Sequence, residues 1–179
     1  MSFGTNSVMF AGFGGQGILF SAKVIATAGL LDGKEVTWLP SYGPEMRGGT
    51  ANCSVILSDE PVSSPIIVAP DVLVAMNLPS YDKFEKQVAP GGKVFLDSTL
   101  ISRQPERSDI ETFYIPATRM AGDEGIPALA NMIIIGKVIR ECGIIDYDNI
   151  PPLLEKIVSA RKPALIEMNM KAIQLGFNL

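Results

Sequence analysis

Residues 8–17 read Val8-Met9-Phe10-Ala11-Gly12-Phe13-Gly14-Gly15-Gln16-Gly17, and a helical pattern begins at once at Ile18. Val8 to Ala11 is an apolar strand, and Gly12, Gly14 and Gly17 satisfy G-x-G-x-x-G between strand and helix, the context that gives this motif meaning. The helix is expected to run to about Leu31 and to close at Gly33. Lys34 to Leu39, with Val36, Thr37 and Trp38, then reads as a second strand, which makes a β-α-β unit of about 30 residues. This unit decides the fold class.

Working outward, Thr50 to Leu57 alternates polar and apolar residues, the pattern of a half-buried strand, while Val72 to Met76 is continuously apolar and suits a buried parallel strand. A short helix is expected over Ser80 to Gln87 with Ser80 as N-cap, followed by a turn at Pro90-Gly91-Gly92 and a strand over Lys93 to Asp97. Residues 102–109 read as a polar surface loop, and Glu111 to Ile115 as a further strand. Pro127 to Cys142 reads as a long apolar helix stopped by Gly143, with two more helices around Ile150 to Ser159 and Pro163 to Leu175. No repeat or linker interrupts the series. The expected architecture is therefore one α/β domain over residues 1–179: three layers, a largely parallel or mixed sheet with helices on both faces.

Composition bounds the chemistry. The 179 residues carry 15 Lys and Arg against 19 Asp and Glu, a formal charge of -4, so nothing draws the chain generically to nucleic acid or to an anionic membrane. Histidine is absent, which removes the commonest general base, the Ser-His-Asp and Cys-His arrangements and every histidine-containing zinc site. Two cysteines, Cys53 and Cys142, are too few for an iron-sulfur cluster, which takes roughly four thiolates. No apolar run reaches the ~20 residues of a membrane span. With no basic, cleavable leader and two widely spaced cysteines, the expected location is the cytoplasm.

The glycine loop offers backbone chemistry: free N–H groups and the helix dipole favour an anion, and the same glycines also allow close packing of strand on helix. A dinucleotide site would place Asp or Glu at the end of the second strand to bind the ribose. Here that strand ends Trp38-Leu39-Pro40-Ser41, while Asp32 and Glu35 come too early. Gln16 carries both an amide donor and an acceptor, for a ligand, a neighbouring subunit or the nearby backbone.

The second distinctive segment is Ser41-Tyr42-Gly43-Pro44-Glu45-Met46-Arg47-Gly48-Gly49-Thr50. It offers a hydroxyl, a phenol, a carboxylate and a bidentate anion donor within seven residues, just after a strand where α/β sites lie. Glu45 and Arg47 would share one side of an extended chain, either as a silent ion pair or as a site. Asn77, after PDVLVAMN (residues 70–77), sits at a strand end open to a ligand and is equally an N-cap candidate.

At these residues the chain resembles a known family. GFGGQG (12–17), SYGPEMRGGTANCSV (41–55), PDVLVAMN and ANMIIIGKV (130–138) are similar to the gamma subunit of the 2-oxoacid:ferredoxin oxidoreductases, of the 2-oxoglutarate or 2-ketoisovalerate type, with indolepyruvate oxidoreductase beta subunits as a close second. The resemblance spans residues 8 to about 170. It implies the Rossmann-like gamma domain of pyruvate:ferredoxin oxidoreductase and a place in the oxidative decarboxylation of a 2-oxoacid to an acyl-CoA with ferredoxin as acceptor. It further implies no cofactor on this chain alone and an inactive isolated subunit. Thiamine diphosphate, magnesium and iron-sulfur clusters would reside on alpha, beta and ferredoxin-like delta partners, with coenzyme A contacted here. Separately, the apolar fraction of 47% points to a homodimer in isolation. Gly12, Gly14, Gly15, Gln16, Gly17, Ser41, Tyr42, Glu45, Arg47, Gly48, Gly49 and Asn77 are the expected ligand or subunit-interface residues, with none catalytic. A free-standing nucleotide-binding enzyme and a purely structural interaction domain are the readings from other classes.

Overall fold

The computed structural model describes residues 4–41, 50–158 and 163–179. Six strands form one sheet: β1 (Asn6–Phe13), β2 (Glu35–Ser41), β3 (Thr50–Ser58), β4 (Val72–Ala75), β5 (Lys93–Asp97) and β6 (Glu111–Ile115), in the order β2-β3-β1-β4-β5-β6. The helices are α1 (Ile18–Leu31), α2 (Leu78–Phe84), α3 (Ala117–Asp123), α4 (Ala130–Cys142), α5 (Ile150–Ile157) and α6 (Pro163–Phe177).

The sheet is mixed. β4, β5 and β6 continue parallel from β1, while β3 runs antiparallel to both β1 and β2. The expected β-α-β unit is present, but β3 is inserted between its two strands. Only residues 42–49 separate β2 from β3, and a parallel return needs a crossover of a dozen or more residues, so the short connection dictates a hairpin.

β1 is apolar from Val8 to Ala11 because both its faces are covered there. Val8 and Phe10 join the core beneath α1, α4, α5 and α6, and Met9 and Ala11 join a smaller core with Tyr81 and Phe84 of α2. In β3 Ser54 and Ser58 are buried as well, contrary to the half-buried expectation, while Asn52 is partly exposed: Ser54 lies against Met9 Sδ at 3.6 Å, and Ser58 Oγ bonds Thr5 Oγ1 at 3.0 Å. β2, at one margin of the sheet, tolerates Pro40, which would break a ladder in a central strand.

Three helix boundaries depart from expectation. α2 starts at Leu78, and its N-cap is Asn77 rather than Ser80, since Asn77 Oδ1 accepts the Ser80 N–H at 2.9 Å. The long apolar helix opens as a 3-10 turn at Pro127–Leu129 before α4. α3 was not expected: seven residues with a glycine show no helical period, and tertiary contacts hold them instead. Loop 102–109 lies where the sequence put it but is tied down, because Arg103 pairs with Asp82 and with the buried Glu85, and Arg107 donates to the Val88 carbonyl at 2.5 Å. Among the described residues no helix is long and apolar enough to cross a membrane.

Candidate functional site

The carboxyl ends of β1, β2 and β4 and the start of β3 meet at one end of the sheet. Gly12 opposes Ala51 and Ser41 opposes Asn52, so the glycine loop and the beginning of the second segment are two strands apart. Tyr42, Glu45, Arg47, Gly48 and Gly49 lie outside the described residues. Ser41 is exposed.

The loop itself is a tight turn. Gln16 N–H donates to the Phe13 carbonyl at 3.2 Å, and Gly15 and Gly17 take positive φ values of 96° and 75° that only glycine adopts readily. Around Gly15 a Cβ would meet nothing within 4 Å, so that corner is open to solvent. Gly12 and Gly17 are crowded instead. A Cβ on Gly12 would fall 2.7 Å from both Gln16 Oε1 and Ile18 Cδ1, and one on Gly17 would fall 2.4 Å from Asn131 Nδ2. Two fingerprint glycines thus make room for the chain's own amides.

Gln16 folds back across the strand ends. Its Oε1 accepts from the Phe13 N–H at 2.7 Å and from Asn77 Nδ2 at 3.1 Å, and its Nε2 donates to the Met76 carbonyl at 2.8 Å. Of the sequence candidates, Gln16 and Asn77 are therefore brought together, with Asn77 also capping α2. Asn131, a buried amide of α4, donates to the Gly17 carbonyl at 3.2 Å and to Ser21 Oγ at 3.1 Å, while its Oδ1 has no partner among the described residues. No side chain caps α1, and its first-turn N–H groups lie beside an apolar surface pocket of about 270 Å³ lined by Phe13, Gly15, Ile18, Leu19, Phe20 and Ala51.

The remaining candidates have structural tasks. Asp32 accepts from the Asp146 N–H at 2.9 Å and from Asn149, away from any ribose position. Asp97, fully buried at the end of β5, accepts from Thr99 N–H at 3.1 Å and from the N–H and hydroxyl of Thr118, which fastens α3. Arg119 is exposed, and its N–H donates to Thr99 Oγ1. Cys53 and Cys142 are both free thiols, each pushed up to about 12 by burial, so neither is a nucleophile or thiolate ligand at neutral pH. An iron-sulfur cluster does not fit this chain.

Comparison with known proteins gives a consistent picture. The description of the pyruvate ferredoxin/flavodoxin oxidoreductase family matches residues 7–179. The chain is 38% identical over 171 residues to the ketoisovalerate oxidoreductase subunit VorA of Methanothermobacter thermautotrophicus, covering 94% of this chain and 35% of that protein. It thus spans about a third of that longer relative. It is 34% identical over 177 residues to the 2-oxoglutarate synthase subunit KorC of Methanocaldococcus jannaschii, covering 96% of this chain and 92% of that one. In three dimensions it resembles the gamma subunit of a keto/oxoacid ferredoxin oxidoreductase from Geobacter sulfurreducens, with a TM-score of 0.83, 28% identity, and coverage of 97% and 96% of the two chains.

Proposed function

The chain belongs to the pyruvate ferredoxin/flavodoxin oxidoreductase family, and from that premise we propose that it is the gamma-type subunit of a cytoplasmic 2-oxoacid:ferredoxin oxidoreductase. The assembly would convert a 2-oxoacid of the 2-oxoglutarate or branched-chain type to its acyl-CoA. The observation that carries the reading is the mutual coverage with KorC, in which nearly all of each chain is matched.

The chemistry of this chain agrees with a divided enzyme. It has no histidine and two cysteines whose thiols hold their protons to about 12. Thiamine diphosphate and magnesium then fall to alpha and beta partners and the iron-sulfur clusters to a delta partner, which passes electrons on to ferredoxin. Thiamine diphosphate supplies the carbanion chemistry, and this chain binds and orients. Its contribution is the carboxyl end of the sheet, where Gly14, Gly15 and Ser41 face either the partner subunits or the phosphate-bearing end of coenzyme A, with Tyr42, Glu45, Arg47, Gly48 and Gly49 as the further residues of the set. Arg47 is the bidentate phosphate donor of that set.

Coexpression with the other subunits tests the reading. The chain is expected to copurify with them and to be needed for 2-oxoacid-dependent ferredoxin reduction, while turning over nothing by itself. A chain that stays alone in the presence of its partners overturns it.

A further inference from the structure

Gln16 belongs to the glycine loop, yet nothing in the proposed function requires a glutamine there. In doubly wound sheets the ligand lies in the crevice beyond the strand ends, at the point where strand order reverses. Here that point falls between β1 and β4, since the chain leaves β1 into α1 on one face and β4 into α2 on the other. The crevice is filled by the Gln16 carboxamide, whose oxygen holds Phe13 N–H and Asn77 Nδ2 and whose nitrogen holds the Met76 carbonyl. Asn77 is itself fixed by the Ser80 N–H. Gly12 has no side chain at the point where Gln16 Oε1 passes.

We infer that Gln16 is a positioning residue: its carboxamide occupies the seat in which dinucleotide folds hold a pyrophosphate, and by joining the ends of β1 and β4 it holds the Phe13–Gln16 turn with Gly15 outermost. Three consequences follow. The crevice is closed to nucleotides. Whatever the loop meets, it meets with the outer rim of the turn. Gly12 is a glycine on account of Gln16 and of Ile18, whose Cδ1 passes equally close. The effect of Gln16 on turnover rests on the gamma-subunit reading, whereas the latch itself does not.

A double-mutant cycle tests the latch in the isolated chain by amide hydrogen exchange. Gln16→Ala and Gly12→Ala are each expected to speed exchange at Phe13 to Gln16 about tenfold, the second by displacing the amide. Adding Gly12→Ala to Gln16→Ala is expected to change it less than about threefold, because the amide is gone and only the Ile18 side chain is left to displace. In the assembled enzyme Gln16→Ala is expected to raise the apparent KM for coenzyme A about tenfold with kcat within about twofold, the signature of lost binding rather than lost chemistry. Should Gln16→Ala not fold, the isosteric Gln16→Glu replaces the donation to Met76 by repulsion between a carboxylate and that carbonyl, and carries the same measurements. Unchanged exchange, or additive effects of the two substitutions, overturns the latch. Faster exchange with an unchanged KM overturns the positioning role. Failure of the wild-type chain to assemble removes the gamma-subunit reading alone, and the exchange cycle still decides the latch.

Discussion

Gly136 and Gly176 bring the backbones of α4 and α6 into direct contact. A Cβ on Gly176 would lie 1.7 Å from the Ile133 carbonyl oxygen, and one on Gly136 would lie 2.0 Å from that of Ile173. No rotamer relieves such a clash, because the obstructing atoms are helix backbone. The helices touch without intervening side chains, and Ile133 and Ile173 are fully buried around the contact.

Gly136→Ala and Gly176→Ala should therefore each destabilise the chain by about 3 kcal/mol, near the upper end for overpacking a core. In a chain of this size that corresponds to roughly 6–12 °C of melting temperature. Calorimetry of the two variants checks it, and a shift under about 2 °C would mean that the helices separate easily.

Glu85 is a buried carboxylate held by Arg103, by the Tyr81 hydroxyl at 2.9 Å and by the Glu106 N–H at 2.8 Å. Burial and the bond to Glu85 push the Tyr81 phenol well above its usual range. Arg103→Ala leaves the carboxylate buried without its cation, a loss of roughly 3 kcal/mol. Urea unfolding measures it, and Glu85→Gln should be milder, since a neutral amide needs no counter-ion. Equal losses would put the effect in packing.

Arg47→Ala should raise the apparent KM for coenzyme A in the assembled enzyme while the chain alone keeps its melting temperature. Steady-state kinetics at varied coenzyme A decides it. An unchanged KM would remove Arg47 from the phosphate-binding role.

The two thiols make the chain sensitive to alkali. Cys53 and Cys142 keep their protons to about 12 when folded, whereas ordinary thiols lose them near 9. Between those values the folded state binds more protons, so the contribution is whole below pH 9 and is lost as the pH rises toward 12. Cys142→Ser should flatten the fall in melting temperature between pH 8.5 and 10, roughly the range above an ordinary thiol pKa. Cys53 should resist iodoacetamide at pH 8 until the chain unfolds, and fast labelling of it in native protein would contradict the burial argument.

The α/β class, all six strands and five of the six helices were legible because continuous apolar runs, glycine stops and proline starts are local signals. β3's reversed direction was also present in the sequence, in the brevity of residues 42–49. α3 was not legible, because its hold on the sheet comes from Asp97, some twenty residues earlier. The same limit applied to the glycines. The motif correctly placed a turn between strand and helix, yet the neighbours that require Gly12 and Gly17 are the Gln16 amide and Ile18 for the first and the Asn131 amide of α4 for the second. Ser80 and Asn77 were both plausible caps, and only geometry chose between them. Glu45 and Arg47 lie outside the described residues.

The reversed strand β3 also bears on how such a subunit can diverge. Because β2 and β3 are paired side by side, the chain leaves and re-enters the sheet at neighbouring points whatever the length of the stretch between them. Doubling a tether between fixed ends adds only about 0.6 kcal/mol of closure entropy. Descendants of this scaffold can therefore lengthen, shorten or rewrite residues 42–49 without altering a single register of the parallel strands.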